Sequence, residues 1–200
     1  MARTYRSSVR DEQAAATRQA ILVAFSEQLG RPGAGDISLP EAAAAAGVSL
    51  RTVYHHFPDR ESRLVALTEW ADEQFGPLPA IDGVDDLPDH VRRAYARADR
   101  NLDLTRAMYV AGLADEVRNR RLRSRRLEIA ALLTGIGAPT EPTRRAIAIV
   151  SLLATSEAGV PLVDIHGLDA IEAGEAAAQA VAAIVADLRA RRREAADHAG

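Results

Sequence analysis

The sequence predicts an all-α fold, with a small N-terminal unit of three helices (residues 1–60) and a larger helical unit (residues 61–200). Apolar residues recur at helical spacing along most of the chain, and no stretch shows the strict alternation of a half-buried strand. The helical segments end at glycine or proline. Two hundred residues, 48% of them hydrophobic, suffice for a small domain followed by a larger one.

The first two helices are delimited by local signals. The run RQAILVAF at residues 18–25 belongs to the first helix, which ends near Gly30. Ser38 and Glu41 have the spacing of a capping box at the start of the second. Alanines at 42–46 favour helix, and Gly47 supplies the left-handed conformation that ends it. A tight turn is therefore expected at Gly47.

The third helix follows this turn directly. Ser49 is a good N-cap, and the helix should extend over residues 50–57, because Pro58 stops it and Asp59 caps a fourth helix. Helical spacing turns Val53 and Phe57 inward, towards Val48. The outer face keeps hydrogen-bonding side chains that suit base edges and phosphates, namely Arg51, Thr52, Tyr54, His55 and His56.

Two helices joined by such a turn predict a helix-turn-helix, whose second helix enters the DNA major groove. The alternative is an exposed polar face on a structural helix. The segment resembles the DNA-binding region of the TetR family of bacterial transcriptional regulators, through GVS at residues 47–49, TVYHHF at 52–57 and DRESRL at 59–64. The match covers about residues 14–70. It departs from the family at Ala42, in the long link of residues 30–36, and at Arg60, where lysine is common.

The resemblance implies a cytoplasmic homodimer that binds an inverted-repeat operator in double-stranded DNA and is released by a small-molecule effector, most simply a repressor. Candidate base contacts are Leu50, Arg51, Tyr54 and His55. Candidate phosphate contacts are Ser38, Thr52, Tyr54, His56 and Arg60, with Ser49 at the helix start and Arg18 as a weaker candidate.

The distribution of charge matters more than the net value of −3. All 25 basic residues are arginine, and residues 1–10 carry Arg3, Arg6 and Arg10 without an acid. These arginines form either an arm that contacts DNA or a disordered tail with incidental charge. Residues 82–89, in contrast, hold four aspartates and no base.

The remaining chain should be helical between breaks. The fourth helix covers residues 59–75 with Leu64, Leu67 and Ala71 inward, and Gly76 begins a break. Helices are then expected at residues 87–101, 102–117, 118–133, 141–157 and 168–193, with breaks at 135–139 and 159–161. On the fifth helix Val91, Ala94, Tyr95 and Ala98 share one face.

The resemblance places an effector pocket among the middle helices. Its candidate residues are large or polar side chains on inward faces: Trp70, Phe75, Tyr95, Met108, Tyr109, Leu113 and His166. Each of them is equally compatible with ordinary core packing. The effector itself cannot be deduced from these residues.

The last two long helices carry broad apolar stripes. One consists of Ala146, Ile149, Val150 and Leu153, and the other of Val181, Ile184, Val185 and Leu188. The resemblance implies that they pair with those of a second subunit in a four-helix dimer interface. The alternative is that both stripes belong to the intramolecular core.

Other classes of function have less support. The absence of cysteine excludes thiolate catalysis and disulfides, and no phosphate-binding loop or H-E-x-x-H motif is present, so we expect neither an enzyme nor a cofactor or metal. We also expect no signal peptide and no membrane span. The basic run of residues 118–126 either binds an acidic effector or a second stretch of DNA, or pairs with acids such as Glu116 and Glu128. A helical module for a protein partner, or a helical enzyme, remain the alternatives.

Overall fold

The computed structural model describes residues 2–76, 80–111 and 115–198, with side chains for 9–76, 80–111 and 122–198. This part of the chain is all-α and contains no strand. The helices are α1 (Ala2–Leu29), α2 (Leu39–Ala45), α3 (Leu50–His56), α4 (Arg60–Phe75), α5 (Leu87–Asp99), α6 (Leu102–Ala111), α7 (Asp115–Thr134), α8 (Thr140–Leu153), α9 (Gly159–Asp164) and α10 (Ala170–Asp197). Short 3₁₀ turns precede α5 (Val84–Asp86) and α9 (Ser156–Ala158).

Several predicted boundaries were wrong. The helix expected at residues 102–117 ends at Ala111, α7 already begins at Asp115, and the helix expected at residues 141–157 ends at Leu153. The segment expected as an arm or tail at residues 2–10 is the start of α1, because no glycine or proline interrupts residues 1–29. The expected break at residues 159–161 is the start of α9. Pro161 is accommodated there because it lies in the first turn, where backbone N–H groups have no helical partner.

The first hydrophobic core joins helices α1 to α4. Phe25, Val53, Phe57 and Leu67 are each at most 1% exposed in it. The α6 residues Ala107 and Ala111 pack into the same cluster. A Cβ at Gly30 would lie 2.6 Å from the Asp103 carbonyl oxygen, so the end of α1 touches α6 directly. The N-terminal helices are thus packed onto the rest of the chain rather than held by a linker alone.

The second core contains buried residues of α5, α7, α8 and α10, and α5 packs closely against α10. The predicted inward face of α5 is confirmed, since Val91, Ala94, Tyr95 and Ala98 are all buried. Tyr95 lies between two glycines. A Cβ added at Gly159 would lie 2.9 Å from the Tyr95 ring, and a Cβ added at Gly174 would lie 2.9 Å from the Tyr95 Cβ. Small residues on neighbouring helices therefore make room for the one tyrosine of α5.

The apolar stripe of α8 is only half buried. Ala146 and Val150 lie in the core and Leu153 packs against it, whereas Ile149 is 48% exposed. Leu152, beside the stripe, is 46% exposed. Together with α10 this face borders a groove of about 410 Å³, lined by Pro142, Arg145, Ala146, Ile149, Ala183, Ile184, Asp187, Leu188 and Arg191. An intramolecular core does not account for the whole stripe.

No single helix among the described residues is long and apolar enough to cross a membrane. Only α8 and the segment Ser156–Asp164 taken together reach that length and apolar composition, and the two are bent by 81° relative to each other.

Candidate nucleic-acid interface

The turn between α2 and α3 is a Schellman motif. Gly47 has φ +67°, a left-handed conformation that glycine adopts without strain. The Val48 N–H donates to the Ala43 carbonyl at 2.9 Å, and the Gly47 N–H donates to the Ala44 carbonyl at 3.2 Å. Both bonds satisfy carbonyls at the end of α2 and fix the angle at which α3 leaves. The sequence prediction for Gly47 is confirmed.

We expect Gly47→Ala to lower the free energy of unfolding by about 1–2 kcal/mol, because an L side chain in the left-handed region is strained. A steric clash does not cause this loss of stability, since a Cβ at Gly47 has no atom within 4 Å. Gly35→Ala is the matched control, because Gly35 is equally open and has no positive φ. Urea denaturation of both variants measures the difference, and equal stability would contradict the role given to the turn.

The start of α2 differs from the sequence prediction. The Ser38 side chain makes no capping bond, so the Ser38–Glu41 capping box was wrong. Gln28 of α1 holds the same backbone instead: its Oε1 accepts from the Ser38 N–H at 2.7 Å, and its Nε2 donates to the Ser38 carbonyl at 3.1 Å. A tertiary contact thus replaces the local cap and ties α2 to α1.

The start of α3 agrees with the prediction. Ser49 Oγ accepts from the Thr52 N–H at 3.1 Å, and its hydroxyl also bonds the Thr52 hydroxyl at 2.8 Å. This cap satisfies one of the free amides of the first turn. The N–H and the hydroxyl of Thr52 are therefore both bonded to Ser49, whereas the side chain of the neighbouring Arg51 is exposed.

The two faces of α3 have opposite character. Val53 and Phe57 are fully buried, and the Phe57 ring meets Phe25 edge-on at 5.4 Å between centroids. On the other side Leu50 is 39% exposed and Tyr54 is 49% exposed, and the Arg51 and His55 side chains are also exposed. Leu50 and Tyr54 thus add apolar surface to the exposed, polar face of this seven-residue helix.

Arg18 and His56 lie beside this face, at the end of α3. The Arg18 guanidinium stands 5.3 Å above the Phe57 ring, a cation–π contact that brings α1 to the edge of α3. Partial burial lowers the pKa of His56 below its usual value, and the nearby His55 and Arg18 lower it further. His56 is accordingly neutral near pH 7, where it donates or accepts a hydrogen bond without adding charge.

The first turn of α4 is held by a capping box. The Asp59 carboxylate accepts from the Ser62 N–H at 2.7 Å, and this bond lowers the pKa of Asp59. Arg60 has only a loose contact with Asp36, at 3.7 Å between exposed side chains. Such surface pairs contribute little to stability, so Arg60 can exchange this partner for a phosphate.

The structure therefore brings most of the predicted contact residues to one region. Leu50, Arg51, Tyr54 and His55 share the exposed face of α3, and Arg18 and His56 lie at its margins. Arg60 begins the next helix, three residues after Phe57. Ser38 stands apart, partly buried at the start of α2. The sequence analysis did not predict the role of Gln28 in holding the start of α2. A polar residue at an inward position of α1 is the signal that could have indicated it.

A separate cavity of about 210 Å³ lies at the end of α4. It is lined by Asp72, Phe75, Gly76, Ala94, Arg97, Ala98, Leu122, Arg125, Ala154, Thr155, Ser156 and Glu157. Among the candidates for an effector pocket that the structure describes, only Phe75 is part of this lining. Arg97, Arg125 and Glu157 were missed as lining residues, since charged side chains are ordinarily expected to face solvent.

The other pocket candidates lie elsewhere. Trp70 and Met108 pack with Phe75 in a small cluster, and Tyr95 is buried in the second core. Tyr109 borders a different groove of about 220 Å³ beside the Arg106–Asp164 ion pair. His166 is exposed, and Leu113 lies outside the described residues.

The basic run of α7 is described in part. Arg125 is only 8% exposed and donates to Glu128 at 2.7 Å, which agrees with the expectation that the run pairs with nearby acids. The side chains of Arg118, Arg120 and Arg121 lie outside the described residues. Among the side chains that are described, no group of three His, Asp or Glu could hold a metal ion.

Comparison with known proteins adds no relative. No family model, no curated protein and no solved structure matches this chain. The class of protein must therefore be argued from the residues and their geometry.

Proposed function

We propose that the chain is a TetR-like transcriptional regulator, a homodimeric repressor that acts in the cytoplasm on an inverted-repeat operator and is released by a small molecule. One observation carries the proposal: α3 follows a Schellman turn, buries Val53 and Phe57, and exposes Leu50, Arg51 and Tyr54 together. This is the arrangement in which a recognition helix reads the major groove.

A dimer would explain the half-exposed stripe of α8. Ile149 lines the groove between α8 and α10, and Leu152 leaves further apolar surface on α8. A two-fold axis through this groove would pair the same surface on both subunits and bury it. The groove is flanked by Arg145, Arg191 and Asp187, whose opposite charges allow such a surface to complement itself.

Helix α4 is the natural link between effector and DNA. It begins three residues after the buried Phe57, and its last residues, Asp72 and Phe75, line the cavity. Arg97 of α5 bonds the carbonyls of Phe75 and Gly76, so α4 is attached to the cavity wall at its end. An effector with different affinities for two positions of α4 would change the placement of α3.

The first test is selection of DNA fragments by the purified full chain, followed by a salt titration on the enriched site. We expect an inverted repeat whose affinity falls steeply as salt rises, because phosphate contacts release counterions. If DNA mobility is unchanged even at low salt, the chain does not bind DNA, and a helical module for a protein partner replaces this proposal.

We expect Tyr54→Ala to weaken operator binding about tenfold or more, the cost of losing one good contact to base or phosphate. The dimer mass should not change, because Tyr54 is 49% exposed and lies outside both cores. Ile165→Ala is the control, since it truncates a side chain that is 75% exposed directly after α9. Electrophoretic mobility shift measures both variants, and wild-type affinity for Tyr54→Ala would refute the assignment.

A further inference from the structure

Two basic side chains from different helices lie against the same ring at the end of α3. The Arg18 guanidinium of α1 stands 5.3 Å from the centroid of the Phe57 ring, and the centroid of the His56 ring lies 6.1 Å from it. Phe57 is 1% exposed and belongs to the first core. A fixed element of the core thus brings α1 and α3 together at the margin of the exposed face of α3.

Arg18 is available to an anion. Among the side chains that the structure describes, no carboxylate pairs with Arg18. The Phe57 ring covers one face of the guanidinium, and because Arg18 is exposed its N–H groups remain open to solvent. Such a fork matches two oxygens of a phosphate. The cation is therefore held in place before an anion binds.

The surroundings of His56 keep its imidazole neutral in the free chain. Partial burial lowers the pKa of His56, and the positive charges of His55 and Arg18 lower it further. The His55 and His56 rings are 5.6 Å apart between centroids. No carboxylate of the described residues raises this pKa. A negative charge brought by another molecule would therefore meet no competing acid and would favour the protonated ring.

The charged groups of the adjoining helices do not change this picture. At the start of α4 the Asp59 carboxylate accepts from the Ser62 N–H at 2.7 Å, and Arg63 donates to the Phe57 carbonyl at 3.4 Å. Glu41 of α2 is exposed in the first turn of its helix. The end of α3 is accordingly bordered by arginines, and the acid that begins α4 is committed to a helix cap.

We propose that Arg18 and His56 together bind the phosphate backbone of DNA, and that His56 takes up a proton when it does so. The phosphate supplies the negative charge that the free chain lacks at this position, so the complex favours the imidazolium form. By linkage, protons strengthen DNA binding as much as DNA strengthens proton binding. This inference rests on the proposed function, and it makes the affinity for the operator respond to pH.

Fluorescence anisotropy of labelled operator DNA with the full chain, at constant salt, tests the coupling. We expect the affinity to rise at least about tenfold from about pH 8 to about pH 5.5, since each subunit of a dimer gains a proton. His56→Gln should lose most of this rise, because glutamine still forms hydrogen bonds but does not titrate. His166→Gln is the matched control, since His166 is exposed outside α3. A wild-type rise in His56→Gln, or a wild-type affinity independent of pH, would overturn the proposal.

His55 requires its own comparison, because it is exposed and adjacent to His56. We expect His55→Gln to keep the rise, whereas a rise lost in His55→Gln and kept in His56→Gln would assign the proton to His55. Proton NMR of the imidazole C–H groups gives a direct measurement, since the chain has five histidines and the His56 signal is the one missing in His56→Gln. Its titration midpoint should move to higher pH when operator DNA is added, and an unchanged midpoint would contradict the proposal.

Substitutions of Arg18 test the other half of the site. Each phosphate contact contributes about 0.9 to the slope of log affinity against log salt, so Arg18→Gln should lower the slope by about 1.8 in a dimer. Arg18→Lys should keep the slope, because it keeps the charge. Arg192→Gln, at an exposed position of α10, is the matched control. An unchanged slope in an Arg18→Gln chain that keeps its helical circular dichroism would remove Arg18 from the site.

The two proposals fail differently. If the chain binds its operator with an affinity that does not depend on pH, the proposed function stands and proton uptake by His56 is wrong. If the chain binds no DNA at any of these pH values, both are wrong.

Discussion

Phe57→Ala is expected to destabilise the N-terminal core by about 3–5 kcal/mol, the usual cost of truncating a buried phenylalanine. Phe57 is 1% exposed, its ring meets Phe25 at 5.4 Å, and Arg18 stacks on it at 5.3 Å. The substitution leaves a cavity at the point where α1, α3 and α4 join. Urea denaturation followed by circular dichroism measures the loss.

Tyr54→Ala provides the internal comparison for this prediction. It truncates an aromatic side chain three residues away on the same helix, but Tyr54 is 49% exposed, so we expect a loss of stability below about 1 kcal/mol. The pair separates the two faces of α3, since one variant should lose stability and the other DNA affinity. Similar losses of stability in both would contradict the assignment of faces.

Ile149→Glu is expected to convert the proposed dimer to a monomer and to lower operator affinity by at least about 100-fold, towards the non-specific level. Ile149 is 48% exposed beside the groove of α8 and α10. In a two-fold interface the substitution buries one carboxylate from each subunit, at a cost of several kcal/mol per ion. Light scattering gives the mass, and mobility shift gives the affinity.

The control is Leu127→Glu, which adds the same charge at a position 66% exposed on α7, outside the groove. We expect this variant to keep the mass and the affinity of the wild type. A dimer that survives Ile149→Glu would show that α8 and α10 do not form the interface.

The local features of the N-terminal unit could be predicted from the sequence because their causes lie within a few residues. Gly47 ends α2, Ser49 caps α3 and Asp59 caps α4, as expected. Hydrogen bonds between neighbours and the helical period decide these features. The same period placed Val53 and Phe57 inside.

The wrong predictions arose where a distant residue competed with a local one. Ser38 has the sequence of a cap, but Gln28, ten positions away, takes its backbone groups instead. Gly159 and Pro161 look like a helix break, yet Gly159 packs closely on Tyr95 while α9 begins around them. Neither contact can be read from spacing along the chain.

The sequence by itself determined the all-α class, the turn at Gly47 and the polar outer face of α3, because short-range hydrogen bonds and periodicity suffice for these. Only the tertiary structure decided the charged cavity. Arg97, Arg125 and Glu157 meet there although about 30 residues separate each from the next. A cavity forms where packed helices leave space between them, and that space depends on side chains from every surrounding element.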